Sequence, residues 1–184
     1  MEKPQIVAIV GSLRKGSYNL QLASAASEAI GDRATFEILD YSNVPLMNQD
    51  IEFPAPEPVK YVRDKVLAAD GIWFFTPEYN HFFPGVLKNL IDWLSRAPSE
   101  TELQVLNGKP AAISGISPGM GGTALAQDHL VTLLSFLNMR LMNMPRLTIP
   151  NAHNQLDQSD ILKLTTSRPY LERQADAFLE FVAG

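Results

Sequence analysis

Cysteine is absent from this chain of 184 residues. That single absence excludes disulfide frameworks, thiolate zinc sites, iron–sulfur clusters and cysteine nucleophiles together, and it suits a reducing compartment. Long apolar runs are missing too. None approaches the roughly 18–20 residues that cross a bilayer, and Met1-Glu2-Lys3-Pro4 lacks the basic, apolar and small-residue blocks of a secretory leader. Basic charge is in short supply: 15 Lys and Arg stand against 20 Asp and Glu, a net charge of −5. A nucleic-acid partner is therefore not expected, because backbone phosphates call for a basic patch. There is no repeat, no low-complexity tract and no sign of a second domain. What remains is 46% hydrophobic and 19% charged, with nine Phe. That composition excludes a disordered chain and supports one folded domain over residues 1–184. A soluble, cytoplasmic protein without membrane insertion is expected.

Strand and helix patterns alternate along the chain. Gln5 to Val10 is a short apolar run ending at Gly11, which reads as a strand buried on both faces. Leu22, Ala26, Ala29 and Ile30 recur at helical spacing over about 17–30, with Gly31 placed as a C-cap. Thr35 to Asp40 alternates as an edge strand does. Pro45, Pro54, Pro56 and Pro58 remove too many amide donors for regular structure, so 42–58 is a long loop. Val59, Val62 and Val66 stripe the next helix, about 58–69. Gly71 to Thr76 is a second doubly buried strand, and a helix from Pro84 to about Ser95 follows. Ala111 to Gly115 is a fourth strand, with a helix over about 123–138 behind it. The fifth strand is expected over Leu141 to Ile149, with Pro145 at an edge or bulge. A last helix starts at Pro169. The expected fold is α/β: a flavodoxin-like three-layer sandwich around a five-stranded parallel sheet of order 2-1-3-4-5.

Ligands of such sheets bind beyond the carboxyl ends of the strands, at the switch point of the strand order. The loops after strands one, three and four converge there. The first is Gly11-Ser12-Leu13-Arg14-Lys15-Gly16-Ser17-Tyr18-Asn19. Its helix N-terminus favours an anion. Ser12, Ser17 and Asn19 offer donors to phosphate oxygens, and Arg14 offers a charge-assisted bond; the plainer alternative is a solvated turn with a Ser N-cap. Gly11 and Gly16 have Walker-A separation, but Ser17-Tyr18 stands where Lys and Ser or Thr are needed. Leu13 spoils a Rossmann fingerprint. A monophosphate held without metal suits the loop better than a nucleoside triphosphate.

The second loop, Pro77-Glu78-Tyr79-Asn80-His81-Phe82-Phe83-Pro84-Gly85, offers amides and the rings of Tyr79, Phe82 and Phe83 to a planar heterocycle. The third, Ser114 to Gly122, is glycine-rich and allows close backbone approach. His81 is a lone loop histidine and is given no acid–base role. His129 and His153 lack neighbours at metal-ligand spacing, so no metal site is expected. No Gly-x-Ser-x-Gly elbow and no paired carboxylates stand out for hydrolase or glycosidase chemistry.

Taken together, the three loops resemble the NADPH-dependent FMN reductase family, flavodoxin-like reductases of quinones, azo dyes and chromate. The resemblance rests on Gly11-Ser12-Leu13-Arg14 with Ser17 and Asn19, and on Pro77-Glu78-Tyr79-Asn80 through Pro84-Gly85, Leu87-Lys88-Asn89 and Ile91-Asp92-Trp93 to Ser95-Arg96. Ser117-Pro118-Gly119 with Gly121-Gly122 completes it. It implies bound FMN, its phosphate held by Ser12, Arg14, Ser17, Tyr18 and Asn19, and its isoalloxazine contacted by Pro77, Glu78, Tyr79, Asn80, Ser117 and Gly119. NADPH or NADH would reduce the flavin and leave, and a small-molecule acceptor would then take the electrons. The cofactor carries that chemistry, so no catalytic side chain is assigned. A homodimer or homotetramer is implied, with Phe82, Phe83 and Trp93 suited to a subunit contact; narrowing of the acceptor pocket is the alternative for Phe82 and Phe83, and a place in the core for Trp93. Competing readings are an electron-carrier or flavin-binding module on the same fold, and a nucleotide or phosphosugar enzyme using the first loop.

Overall fold

The computed structural model describes residues 3–99 and 101–184. Met1 and Glu2, part of the stretch read for a leader, and Glu100, in the connection after the third helix, lie outside the described residues. Parallel strands β1 (Gln5–Val10), β2 (Thr35–Ile38), β3 (Gly71–Phe75) and β4 (Pro110–Ile116) run β2-β1-β3-β4, and β5 (Arg140–Leu141) follows β4. Helices α1 (Tyr18–Ile30), α2 (Glu57–Ala68), α3 (Gly85–Leu94), α4 (Ala124–Phe136) and α5 (Arg168–Ala183) cover both faces.

The period of two along each strand sorts side chains between two cores. Val7, Ile9, Ile72, Phe74 and Ile113 pack against the apolar stripes of α2, α3 and α4. Ile6, Ala8, Val10, Trp73, Phe75 and Ala112 face α1 and α5. With both faces covered, β1, β3 and β4 are apolar at nearly every position. Edge strand β2 keeps one exposed and three half-buried residues. Gly31 ends α1 at φ 58°, a conformation an L side chain adopts only with strain.

The fifth strand departs from the sequence expectation of one continuous strand over 141–149. It is split into β5 and β6 (Leu147–Ile149), both paired with β4. Pro145 lies in the gap, where it has no amide for the ladder. The buried Gln174 of α5 fills in: its Nε2 donates to the Ile113 carbonyl (2.9 Å) and to the Pro145 carbonyl (2.9 Å). Its Oε1 accepts from Ser114 Oγ (2.6 Å), which in turn accepts from Trp73 Nε1 (2.8 Å). A side-chain amide thus stands in for the missing rung and fixes the register on either side of the break.

Candidate functional site

At the carboxyl ends of β1, β3 and β4 a cleft of about 190 Å³ opens between the three loops. Ser12, Arg14, Ser17, Tyr18 and Asn19 line one side, and Pro77, Glu78, Tyr79 and Ser117 the other. Of the residues singled out in the sequence, Asn80 and Gly119 belong to the same loops but fall outside the lining.

The first loop is shaped by the start of α1. Ser17 is buried as N-cap, and its Oγ accepts from Leu20 N (3.3 Å). The amides of Tyr18 and Asn19 precede the first intrahelical bond and have no acceptor within the helix. Ser17 N donates to the Arg14 carbonyl (3.0 Å), which closes the turn. Arg14 is exposed, with its guanidinium carbon 5.3 Å from the centre of the Tyr18 ring. Hydroxyls, one cation and free helix-start amides make a donor set for a phosphate.

Asn19 plays a different part from the donors around it. It is 2% exposed, and its Nδ2 donates to the Ile116 carbonyl (2.9 Å) while its Oδ1 accepts from Ile116 N (3.1 Å). Both main-chain groups of Ile116 are paired as a neighbouring strand would pair them, beyond the point where β3 has ended. Asn19 therefore ties the first loop to the last residue of β4. One Nδ2 proton is left for a ligand.

In the second loop, Tyr79 and Phe82 exchange both main-chain bonds (2.9 and 3.0 Å) around Asn80 and His81. Those two residues have φ of 53° and 62°, the signature of a two-residue type I′ hairpin. The turn lifts the exposed Tyr79 ring to the mouth of the cleft. Glu78 is turned the other way, and its Oε2 accepts from Ala126 N (3.1 Å) in the first turn of α4. Thr123, the N-cap of α4, makes no capping bond, so Glu78 caps that helix from another loop. His81 Nδ1 lies 3.6 Å from Glu78 Oε1 on a side chain that is 81% exposed.

The third loop needs Gly115. A β-carbon there would stand 2.1 Å from Thr123 Oγ1 and 2.4 Å from the Thr76 carbonyl. No side chain fits, so β4 and the start of α4 meet only because that atom is missing. Ser117 Oγ donates to the Gly122 carbonyl and holds the loop closed.

The aromatic residues divide between surface and core. Phe82 is exposed and stacks on His129 of α4, with ring centres 4.5 Å apart. Phe83 (4% exposed) and Trp93 (0%) are core residues. This corrects the expectation of a subunit contact for Phe83, and for Trp93 the alternative of a core position holds.

Asn89, Trp93 and Arg96 carry the resemblance in the sequence, but their task was not legible there. Asn89 Oδ1 accepts from Met47 N (2.8 Å), and its Nδ2 and Trp93 Nε1 both donate to the Pro45 carbonyl (2.9 and 2.8 Å). Arg96 makes a forked pair with the buried Glu52 (2.7 and 3.2 Å). These side chains pin the proline-rich loop 42–58. The readable signal was Asn89 and Trp93 four apart on one helix face, opposite a loop short of amide donors.

The donor set at the start of α1 fits the phosphate of a flavin mononucleotide. Comparison with known proteins agrees. The family model described as NADPH-dependent FMN reductase matches residues 4–154. An NAD(P)H-dependent FMN reductase of Pseudomonas aeruginosa is 42% identical over 94% of this chain and 92% of its own length. A 2-hydroxy-1,4-benzoquinone reductase of a Burkholderia species is 37% identical over 97% and 96%. Among solved structures, the flavoenzyme NAD(P)H:(acceptor) oxidoreductase FerB of Paracoccus denitrificans superposes with a TM-score of 0.87 at 32% identity, covering 98% of this chain and 97% of its own.

Proposed function

The chain belongs to the NADPH-dependent FMN reductase family, and from that premise we propose that it passes electrons from NAD(P)H to quinones in a two-step exchange. Azo compounds, chromate and free flavin are further acceptors on this reading, since each needs only access to an open ring face. FMN, when bound, supplies the hydride-accepting ring system. The protein's own part is to bind, orient and exclude water. Ser12, Arg14, Ser17, the amide of Tyr18 and the free Asn19 proton hold the phosphate. Pro77, Glu78, Tyr79 and Asn80 present main chain and one ring to the isoalloxazine, with Ser117 and Gly119 across from them. No side chain is assigned proton transfer. Reductant and acceptor use the same open mouth in turn, which is why the exchange is ping-pong. A homodimer or homotetramer working in the cytoplasm is part of the proposal; the exposed Phe82 and Met120, in the second and third loops, offer apolar surface for a second copy to cover. No helix among the described residues is long and apolar enough to cross a membrane.

The observation that carries this reading is the cleft itself: a buried Ser17 cap, Arg14 and helix-start amides opposite a type I′ hairpin. The test is an anaerobic visible spectrum of the FMN-loaded protein on adding NADPH, then benzoquinone. Bleaching by the first and recovery with the second is the expected result. A flavin that binds and stays oxidised with both NADPH and NADH would overturn it.

A further inference from the structure

A second cleft, of about 300 Å³, lies on the β2 side of the first loop, at the lower end of the size range of small-molecule sites. It shares Ser12 and Arg14 with the flavin cleft, so the two meet at the phosphate loop. Leu13, Leu20 and Ile38 give it apolar walls, and Lys15 and Asp40 add a cation and a carboxylate to its lining.

Asp40 follows β2, the strand beside β1, and faces the β1–α1 loop. In dinucleotide-binding α/β folds an acid near the end of that strand accepts from a ribose hydroxyl, while the phosphates sit at the first helix. Here the carboxylate is exposed and fixed: Oδ1 accepts from Ser42 N (3.0 Å). Ser42 is its one hydrogen-bond partner among the described residues. The main-chain bond from Ser42, followed by its hydroxyl, holds this carboxyl below its ordinary range. A fixed, ionised acceptor, a slot with apolar walls and two cations in its lining, one of them shared with the flavin cleft, are the parts an adenosine phosphate requires.

We infer that this cleft takes the adenosine of a dinucleotide whose phosphates pass Arg14 and Lys15, with Asp40 accepting from the ribose. The inference rests on the proposed function. It adds a selection rule: a carboxylate at the ribose repels a 2′-phosphate, so plain adenosine is preferred. Two sources share this chemistry, the adenosine half of NADH and that of FAD in place of FMN.

Two titrations separate them, each on wild type, Asp40→Ala and Asp40→Asn. ADP-ribose and 2′-phospho-ADP-ribose are titrated calorimetrically into the FMN-loaded protein; FMN and FAD are titrated into the apoprotein by flavin fluorescence. With NADH as the source, ADP-ribose binds the loaded protein more tightly than its 2′-phosphate does. Asp40→Ala then weakens ADP-ribose roughly tenfold to a hundredfold, and Asp40→Asn raises affinity for the 2′-phosphate. With FAD as the source, FAD binds the apoprotein more tightly than FMN, and Asp40→Ala removes the difference without changing FMN affinity. Either pattern supports the site. Normal FMN binding with ADP-ribose and FAD both indifferent to Asp40→Ala overturns it and leaves the proposed function standing. Failure of FMN itself to bind overturns both.

Discussion

Replacing Asn19 by Ala separates two roles that one buried amide can play. The side chain pairs both main-chain groups of Ile116, and all of these atoms are buried. Removing it leaves a donor and an acceptor unsatisfied, at about 1–3 kcal/mol each. Water admitted to the vacated space offsets part of that, so the expected loss is about 2–4 kcal/mol. With a urea dependence of roughly 2–3 kcal/mol per molar for a chain this long, the midpoint falls by about 1–2 M. Trp73 and Trp93, both fully buried, report the transition by fluorescence. The measurement is made first on the FMN-free protein, because ligand binding adds its own stabilisation. FMN affinity is then expected to fall as well, since the first loop loses its anchor to β4. Asn19→Asp sharpens the test: it keeps the acceptor for Ile116 N but sets a carboxylate against the Ile116 carbonyl, so it should destabilise no less. An unchanged urea midpoint in the FMN-free Ala variant, together with weaker FMN binding, would refute the reasoning and make Asn19 a phosphate ligand only.

Arg14→Ala should weaken FMN binding by roughly 1.5–3 kcal/mol, the worth of a charge-assisted bond; a flavin titration showing equal affinity would remove Arg14 from the phosphate site. His81→Ala should keep most NAD(P)H oxidation, because the ring is exposed and 3.6 Å from its one carboxylate neighbour, and stopped-flow flavin reduction measures this directly. Burial pushes the Tyr41 phenol above its ordinary value of 10.0, and its hydroxyl donates to the Val10 carbonyl. The folded protein therefore keeps a proton that the unfolded chain loses. The stabilisation is fully present below pH 10.0 and declines by about 1.4 kcal/mol per pH unit above it, until the folded phenol itself ionises. Urea midpoints on either side of that pH should diverge for wild type and lose this part of their slope in Tyr41→Phe.

Strand order, both helical layers and the three converging loops were legible in the sequence because each depends on a local pattern. Doubly buried strands read as unbroken apolar runs, and α3 shows its stripe in Leu87, Leu90, Ile91 and Leu94. The split of β5 from β6 was not legible. Pro145 announced a disturbance, but the repair by Gln174 comes from α5, some thirty residues later in the chain. The site followed the same divide. Residue types at the strand ends suggested an anion and a planar ring. They did not disclose that Glu78 caps α4 or that Asn19 finishes the β4 ladder, since both contacts join segments far apart in sequence.

That divide bears on what the polar residues around the site are for. Asn19 binds the first loop to β4, Glu78 the second loop to α4, and Asn89 with Trp93 the proline-rich loop to α3. Each is a polar side chain spending its hydrogen bonds on distant main chain. The surfaces left for a cofactor are helix-start amides, loop main chain, small hydroxyls and one exposed Arg. Such a wall is rigid because its supports lie behind it, and it carries little acid–base chemistry of its own. This is the arrangement a flavin enzyme needs, since a ring that accepts and returns hydride requires fixed placement and an open face more than a proton relay. Substitutions at the supports should therefore lower cofactor affinity and stability together, whereas substitution of the exposed Tyr79 at the mouth should alter the choice of acceptor while stability stays constant.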